Sequence, residues 1–458
     1  MLRKRLTVRR ALLFLPFCFV APLSAAFSAD DIQLSGFGTI GLVMSDSDQY
    51  GYRVDVGNDD GVFKDDIDLL SASLLGLQLD TFLSESSQLT LQVVLRDQVT
   101  TSWDSYLRQA FYKLSPSPSF DVRVGRIPAD VYSLTEVREI GFAYPWAMLP
   151  AEVYGLYALR YLDGADFSYS FRPGAATLTT KFFIGDSEGD FAVYNSLADI
   201  KLENTIGLSL TWSELNWQLK ANYTHFKFAD TSKGLQELIA GFETFNDALE
   251  LFTAALPPGY PDDLWVGSET VVDDLVLEGT SGRYLSLSGH YNWDNWTVAA
   301  EVSKAEANVA VVPDVLTSYI SLAYASGRWT YYGLVSNAKP DTQRFDESGV
   351  SPLLTDPNSP LLDSAQVGPL LAAAFQQLQP AYQALSGLHK NGLHYFGADQ
   401  LGYSIGTRYD FSDSLALNLQ FNHTIIEDQG GTLWWVESES LRPGERVNTI
   451  LCTVSFIF

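Results

Sequence analysis

The chain has 458 residues, 46% hydrophobic and 18% charged, with 55 acidic against 29 basic residues and a formal net charge of −26. This composition excludes intrinsic disorder and collagen-like repeats, and the acidic balance excludes a nucleic-acid partner, which needs a basic face to neutralise phosphates. Beyond residue 29 no apolar run nears the roughly 18 residues of a membrane-spanning helix, whereas an aromatic fraction of 13% suits a membrane barrel with two aromatic girdles.

The first residues read as an export signal. Arg3, Lys4, Arg5, Arg9 and Arg10 form a basic start, Ala11 to Val20 an apolar core, and Pro22-Leu23-Ser24-Ala25-Ala26 a small-residue cleavage zone. Residues 1–29 are therefore expected to be a signal peptide cut between 25 and 29, with 30–458 forming one domain. An uncleaved anchor is the alternative, but the apolar core is short for spanning. Cys18 would leave with the signal, so Cys452 alone remains, and neither a disulfide nor a cysteine metal site is expected.

From Ile32 onward, short segments alternate apolar and polar residues. Leu75, Leu77, Leu79 and Leu83 interleave with Gly76, Gln78, Asp80 and Phe82; Leu89, Leu91, Val93 and Leu95 interleave with Thr90, Gln92, Val94 and Arg96. Period two puts one strand face in an apolar medium and the other in a polar one. About sixteen strands are predicted, near 32–43, 67–83, 88–99, 104–114, 120–127, 163–172, 176–185, 202–213, 216–228, 282–292, 296–306, 316–326, 328–338, 396–411, 414–427 and 446–458. Connections after even-numbered strands are tiny, such as Gly327 or Ser412-Asp413; those after odd-numbered strands are mostly long and polar, the longest near 128–163, 229–281 and 339–395. An even strand count with loops sorted by length is the pattern of an all-β, antiparallel up-and-down transmembrane barrel. Helical spacing recurs inside two long loops, at Leu235, Leu238, Ile239, Phe242, Phe245, Leu249 and Phe252, and at Leu370, Leu371, Ala374, Phe375, Leu378, Tyr382 and Leu385. These helices could cap the lumen or stiffen the rim.

The chain ends Arg446-Val447-Asn448-Thr449-Ile450-Leu451-Cys452-Thr453-Val454-Ser455-Phe456-Ile457-Phe458, with the even-numbered residues from Ile450 on one face. This resembles the closing strand of Gram-negative outer-membrane proteins, in which terminal aromatics such as Phe456 and Phe458 belong to the assembly signal. Leu34-Ser35-Gly36-Phe37-Gly38-Thr39-Ile40-Gly41 resembles the first strand of porins. Val124-Gly125-Arg126-Ile127 before a long loop resembles the porin strand whose following loop folds inward as a constriction. The resemblance implies a sixteen-stranded, trimeric outer-membrane barrel among lipid and lipopolysaccharide, passing small hydrophilic solutes or ions by diffusion, without a cofactor. The long fifth and seventh loops depart from the general-porin pattern. Eighteen strands would need a hidden hairpin, best placed at Val271 to Leu277.

In such a channel the functional residues line the pore. Arg96 shares parity with Thr90 and Gln92, and Arg123 with Asp121 and Gly125, so both should point inward; Arg108 and Arg126 have ambiguous parity. On the expected constriction loop Asp130, Glu136, Glu139 and Glu152 are the acidic candidates and Arg138 the basic one. Arginines facing an acidic loop would either create a transverse field or form salt bridges that hold loop and wall together. In the first case Arg96 and Arg123 would favour anionic or zwitterionic solutes, since the acidic outer loops are screened over a Debye length of about 8 Å. Asn58-Asp59-Asp60-Gly61 does not make a calcium loop, because the glycine follows too soon and the closing glutamate is missing; loose cation contact with lipopolysaccharide or a plain solvated rim remain. The rival classes are a surface receptor or adhesin, for which no plug or repeat is visible, and a membrane-embedded lipase. For the latter only His423 beside Asn422 is worth naming, and no Gly-x-Ser-x-Gly elbow supports it.

Overall fold

The computed structural model describes residues 31–157, 159–193, 196–254, 268–341, 350–355, 369–436 and 444–458, so the expected signal segment lies outside the described residues. In chain order the strands are β1 (Ile32–Ser45), β2 (Tyr50–Tyr52), β3 (Leu74–Ser84), β4 (Ser87–Arg96), β5 (Leu107–Ser117), β6 (Phe120–Pro128), β7 (Tyr161–Phe171), β8 (Thr177–Val193) and β9 (Ser196–Ser213). They continue with β10 (Trp217–Phe228), β11 (Ser281–Trp293), β12 (Trp296–Ala307), β13 (Val315–Ser326), β14 (Trp329–Pro340), β15 (Ala398–Ser412), β16 (Leu415–Gly430), β17 (Trp434–Val436) and β18 (Glu445–Ile457). Sixteen of these close into one barrel, each paired with its chain neighbour and β1 joined to β18; β2 and β17 pair separately as a small sheet between the first and last long loops. The closed antiparallel barrel expected from the porin resemblance is present.

Alternation decides which way each residue faces. Leu91 is 44% exposed on the outside while its neighbour Gln92, inside, is 6% exposed. Outward leucines and isoleucines beside buried inward Thr, Ser, Asn and Gln form an inside-out protein, stable only in an apolar medium. Around β11 to β15 the turn-side rim carries a continuous aromatic belt. Tyr291 stacks with Trp293, Trp293 with Trp296, and Trp296 tilts onto Tyr324; Trp329 meets Tyr331 and Tyr409. The turns beneath are tight: Gly327 (φ 62°) and Asp294 (φ 48°) adopt the left-handed conformation that two-residue hairpins demand.

The closing seam uses the C-terminal aromatics. Gly36 and Phe458 exchange backbone hydrogen bonds of 2.9 Å in both directions, and the stacked rings of Phe456 and Phe458 lie over Gly38 and Gly36. A Cβ at either glycine would come within 2.5 Å of a ring carbon, so glycine is what allows the rings to cover the backbone.

Several boundaries differ from expectation. β4 stops at Arg96, and Trp103–Tyr106 is a helical turn, so β5 begins only at Leu107. β3 begins at Leu74, leaving Ile67, Leu69 and Leu70 exposed in the first long loop. β8 and β9 run on past residues 185 and 202 as a paired hairpin above the rim, crossing a bulge where Asn204 turns to positive φ (51°), because pairing continues to satisfy the backbone there. Val271 to Leu277 holds no strand pair: Glu269–Asp273 is a short helix, and Val271 and Leu275 are buried beneath the loop helices. The expected helices exist over Lys233–Ala254 and Pro369–Phe396. They pack on each other through Phe242 and Phe245 against Tyr382, with ring centroids 6.5 and 5.7 Å away.

Candidate constriction site

The wall releases the third long loop at Pro128, whose missing N–H ends the pairing. Residues 129–160 then turn into the lumen through two short 3-10 turns, Thr135–Val137 and Gly141–Ala143, and one helical turn, Ala151–Tyr154. Backbone groups that these short turns do not pair, such as the Ser133 and Ala147 N–H groups, find partners on the wall.

On one side those partners are dry and form no ion pair with the loop among the described residues. Trp146 Nε1 donates to Ser321 Oγ (2.8 Å), and the Ala147 N–H is shared between Gln420 Oε1 (3.0 Å) and Tyr332 Oη (3.1 Å). Arg408 Nη1 donates to the carbonyls of Phe142 and Tyr144, both at 2.8 Å. Glu301 accepts from the Ser133 N–H (3.0 Å) and the Tyr154 hydroxyl (2.6 Å). Tyr132, Tyr144, Trp146, Tyr154, Tyr284 and Tyr319 pack into one buried aromatic layer around these bonds.

The other side is ionic. Asp55, from the first long loop, and Glu139, from the third, meet three arginines, with a fourth beside them. Arg160 reaches both carboxylates (2.5 and 2.9 Å), Arg96 reaches both (2.7 and 3.7 Å), and Arg108 reaches Glu139 (3.3 Å). Arg138 donates instead to the carbonyls of Tyr154 (2.6 Å) and Leu159 (3.3 Å), with its guanidinium 5.3 Å from the Tyr132 ring centre. Four guanidinium groups thus face two carboxylates, a surplus of two positive charges. Burial alone would raise both carboxyls, but Arg160 and Arg96 beside Asp55, and Arg108 and Arg160 beside Glu139, outweigh it. Asp55 is held well below the usual carboxylate range and Glu139 is brought down to about 2.

A second cluster binds the root of the loop to β6–β10. Arg123 makes a two-point contact with Asp166 (Nε–Oδ1 3.1 Å, Nη2–Oδ2 2.5 Å) and reaches Glu136 at 3.1 Å. Lys181 bridges Asp130 (3.0 Å) and Glu136 (3.1 Å), while Lys220 holds Asp130 at 2.5 Å. Three cations balance three carboxylates. Of these six only Glu136 is widely open, with 45% of its side chain exposed.

The structure therefore gathers Arg96, Arg108, Arg123, Arg138, Asp130, Glu136 and Glu139 along one side of the lumen, but not Arg126 or Glu152. Arg126 keeps the parity of outward Val124: it faces the outside of the wall, paired with Asp163 (2.7 Å) and Asp104 (3.1 Å), with the Tyr161 ring 3.7 Å from its guanidinium carbon. Glu152 is buried against the dry side, accepting from Gln400 Nε2 at 2.7 Å. Arg108 points inward because the β4–β5 register slips, Gln92 pairing with Gln109 but Val93 with Leu107, and a slip of this kind reverses side-chain direction. Sequence reasoning missed Asp55, Arg160, Asp166, Lys181 and Lys220. Parity could have found the last three, since Asp166 alternates with outward Phe167 and Lys220 with outward Leu219; nothing in the sequence brings Asp55 to the third loop. His423 lies on the outer face, its Nδ1 2.7 Å from Asn448 Oδ1.

Above the arginine cluster opens a vestibule of about 1080 Å³, walled by the β8–β9 hairpin and the loop helices. At the level of the third loop the cavities beside Arg96, Arg138 and Glu139 shrink to about 30–40 Å³.

No protein-family model and no curated protein matches the sequence. Similar solved structures include Salmonella typhi OmpF in complex with daunomycin, 9% identical over 94% of this chain and 99% of that one, TM-score 0.49. The outer-membrane channel DcaP of Acinetobacter baumannii is 10% identical over 94% and 99%, TM-score 0.49. An anion-selective porin from Comamonas acidovorans is 10% identical over 93% and 99%, TM-score 0.47. The sixteen-stranded closure rests on this chain's own strand pairing.

Proposed function

We propose that the protein is an outer-membrane channel of porin type, exported by a signal peptide cut between 25 and 29, through which small hydrophilic solutes and ions diffuse passively. The observation that carries this reading is the inward third loop, which narrows a polar-walled barrel and sets Glu136, Arg123 and Lys181 beside the remaining space. Passage runs along the ionic side, where water can solvate the groups, and not through the dry aromatic layer. Because the upper cluster carries surplus positive charge, the eyelet prefers anions, and the preference persists at high salt, where charges on the outer loops are screened. The arginines act as paired supports of the loop and, through their surplus, as the source of the field.

The channel assembles as a homotrimer through β3–β5. Across this arc the outer face presents Leu77, Leu79, Leu89, Leu91 and Leu114, with Tyr112 and, near the turn end of β3, Phe82 as the exposed aromatics among the described residues. A face away from the Trp/Tyr belt of β11–β15 has fewer of the interfacial anchors that lipid contact favours, and leucines suit a dry protein contact.

Planar-bilayer conductance of the full-length protein, with reversal potentials in a salt gradient, tests this reading. Stepwise anion-favouring current is expected. A barrel that is heat-modifiable but passes no current would favour the receptor reading instead.

A further inference from the structure

We infer that the vestibule is a selective binding chamber for zwitterions that carry an apolar body, such as hydrophobic amino acids and short peptides; the inference rests on the channel reading, which makes the vestibule the place a solute occupies before the eyelet. The chamber has three chemically distinct sides. Its floor is Arg108 and Arg160, the upper members of the cluster with two surplus positive charges, so it attracts a carboxylate. Its upper wall, on the β8–β9 hairpin, carries Glu188 and Asp190, neither of which makes an ion pair among the described residues, while Lys201 on the same hairpin is taken up by Asp199 (3.4 Å) and Asp230 (3.1 Å); Glu188 accepts only a 3.3 Å hydrogen bond from the Tyr161 hydroxyl there. These carboxylates attract an ammonium. The third side carries an apolar patch, Leu235 and Leu238 from one loop helix and Leu385 and Leu388 from the other, flanked by the oppositely charged Lys233 and Glu237 one helical turn apart. Leu388 is 51% exposed although its helix buries Tyr382 completely, so an apolar surface is turned to the chamber and left open to a solute.

These sides favour one class over its neighbours. A simple anion is drawn to the floor but repelled by the hairpin carboxylates; a cation meets the reverse. A zwitterion satisfies both, and an apolar side chain gains further by covering the leucines, a contribution proportional to the area removed from water. At about 1080 Å³ the chamber is large enough for a short peptide, being at the upper end of small-molecule sites.

The test uses the full-length channel in a planar bilayer and reads block of the potassium chloride current by four dipeptides. These are phenylalanyl-leucine, its N-acetylated form, its C-terminal amide and glycylglycine. Phenylalanyl-leucine is expected to block with an apparent Kd about tenfold lower than each of the other three. The variant Leu235→Ser/Leu388→Ser should collapse the preference over glycylglycine while keeping the preference over the acetylated form, and Glu188→Gln/Asp190→Asn should do the opposite. Each result is read as a ratio of affinities within one variant, so a change in conductance does not confuse it. Equal block by all four dipeptides, or ratios that neither variant moves, overturns the inference while the current upholds the channel. If no current flows, binding of the same dipeptides to detergent-solubilised protein by calorimetry decides the chamber separately: the same affinity order keeps it, and equal affinities overturn it.

Discussion

The third loop is held by two opposite chemistries. Towards β12–β16 it is fixed by buried hydrogen bonds and packed rings, with no ion pair among the described residues and with Trp146 and Tyr154 only 3% exposed. Towards β4–β10 it is fixed by ion pairs, several of them reached by solvent, with Glu136 the most open. Hydrogen bonds in a dry layer gain from exclusion of water, all the more where Arg408 or Glu301 lends them charge. Ion pairs bordering an open space tolerate solvent and are weakened by salt. The difference separates two tasks: the dry side packs the loop against the wall, and the ionic side leaves charged groups such as Glu136 open to solvent.

The largest break should come on the dry side. Trp146→Ala removes a buried ring and the bond to Ser321, and should cost about 3–5 kcal/mol, read by unfolding in urea, with larger and noisier conductance as the loop loosens. If unfolding is unchanged, the aromatic layer does not hold the loop.

On the ionic side, Arg160→Gln should cost less than the roughly 3–5 kcal/mol of orphaning a buried charge, because Arg96 still reaches both Asp55 and Glu139. The same pairs set a pH response. Both carboxyls are lowered in the folded state, so their contribution is complete above the ordinary carboxylate range, near pH 4. It disappears only as pH falls through the lowered folded values, for Glu139 towards about 2. Channel conductance and unfolding midpoints should therefore show no step from this cluster between pH 7 and 5. A step in that interval that vanishes in Arg160→Gln would contradict the pairing.

The wall that carries both sides gives a smaller contrast. Leu91→Arg should destabilise the barrel by ~2–4 kcal/mol near the membrane midplane, while Gln92→Arg, facing the lumen, should be nearly neutral. Equal tolerance at the two positions in a refolding assay would remove the inside-out assignment. Smallest in stability, under about 1 kcal/mol for a pair this exposed, should be Glu136→Gln. It nevertheless unbalances the lower cluster by one positive charge, so the reversal potential should move further towards anion selectivity. An unmoved potential would mean that the passage lies away from Glu136.

Much of the wall was legible without coordinates. Leu75 to Leu79 and Leu89 to Leu95 alternate because a strand has a period of two, and the short and long connections follow from an up-and-down order; both are local properties of the chain. For the same reason Arg96 and Arg123 could be assigned to the lumen. Arg126 fails as a lumenal residue by that very rule, since it shares the parity of outward Val124. Tertiary structure decided what local period cannot express. The register slip that turns Arg108 inward depends on how β5 meets β4, and the meeting of Asp55 with Glu139 depends on two loops that converge only once the barrel has closed. A side chain's direction is set by its neighbours in sequence, but its partner across a lumen is set by closure, and closure is a property of all sixteen strands together.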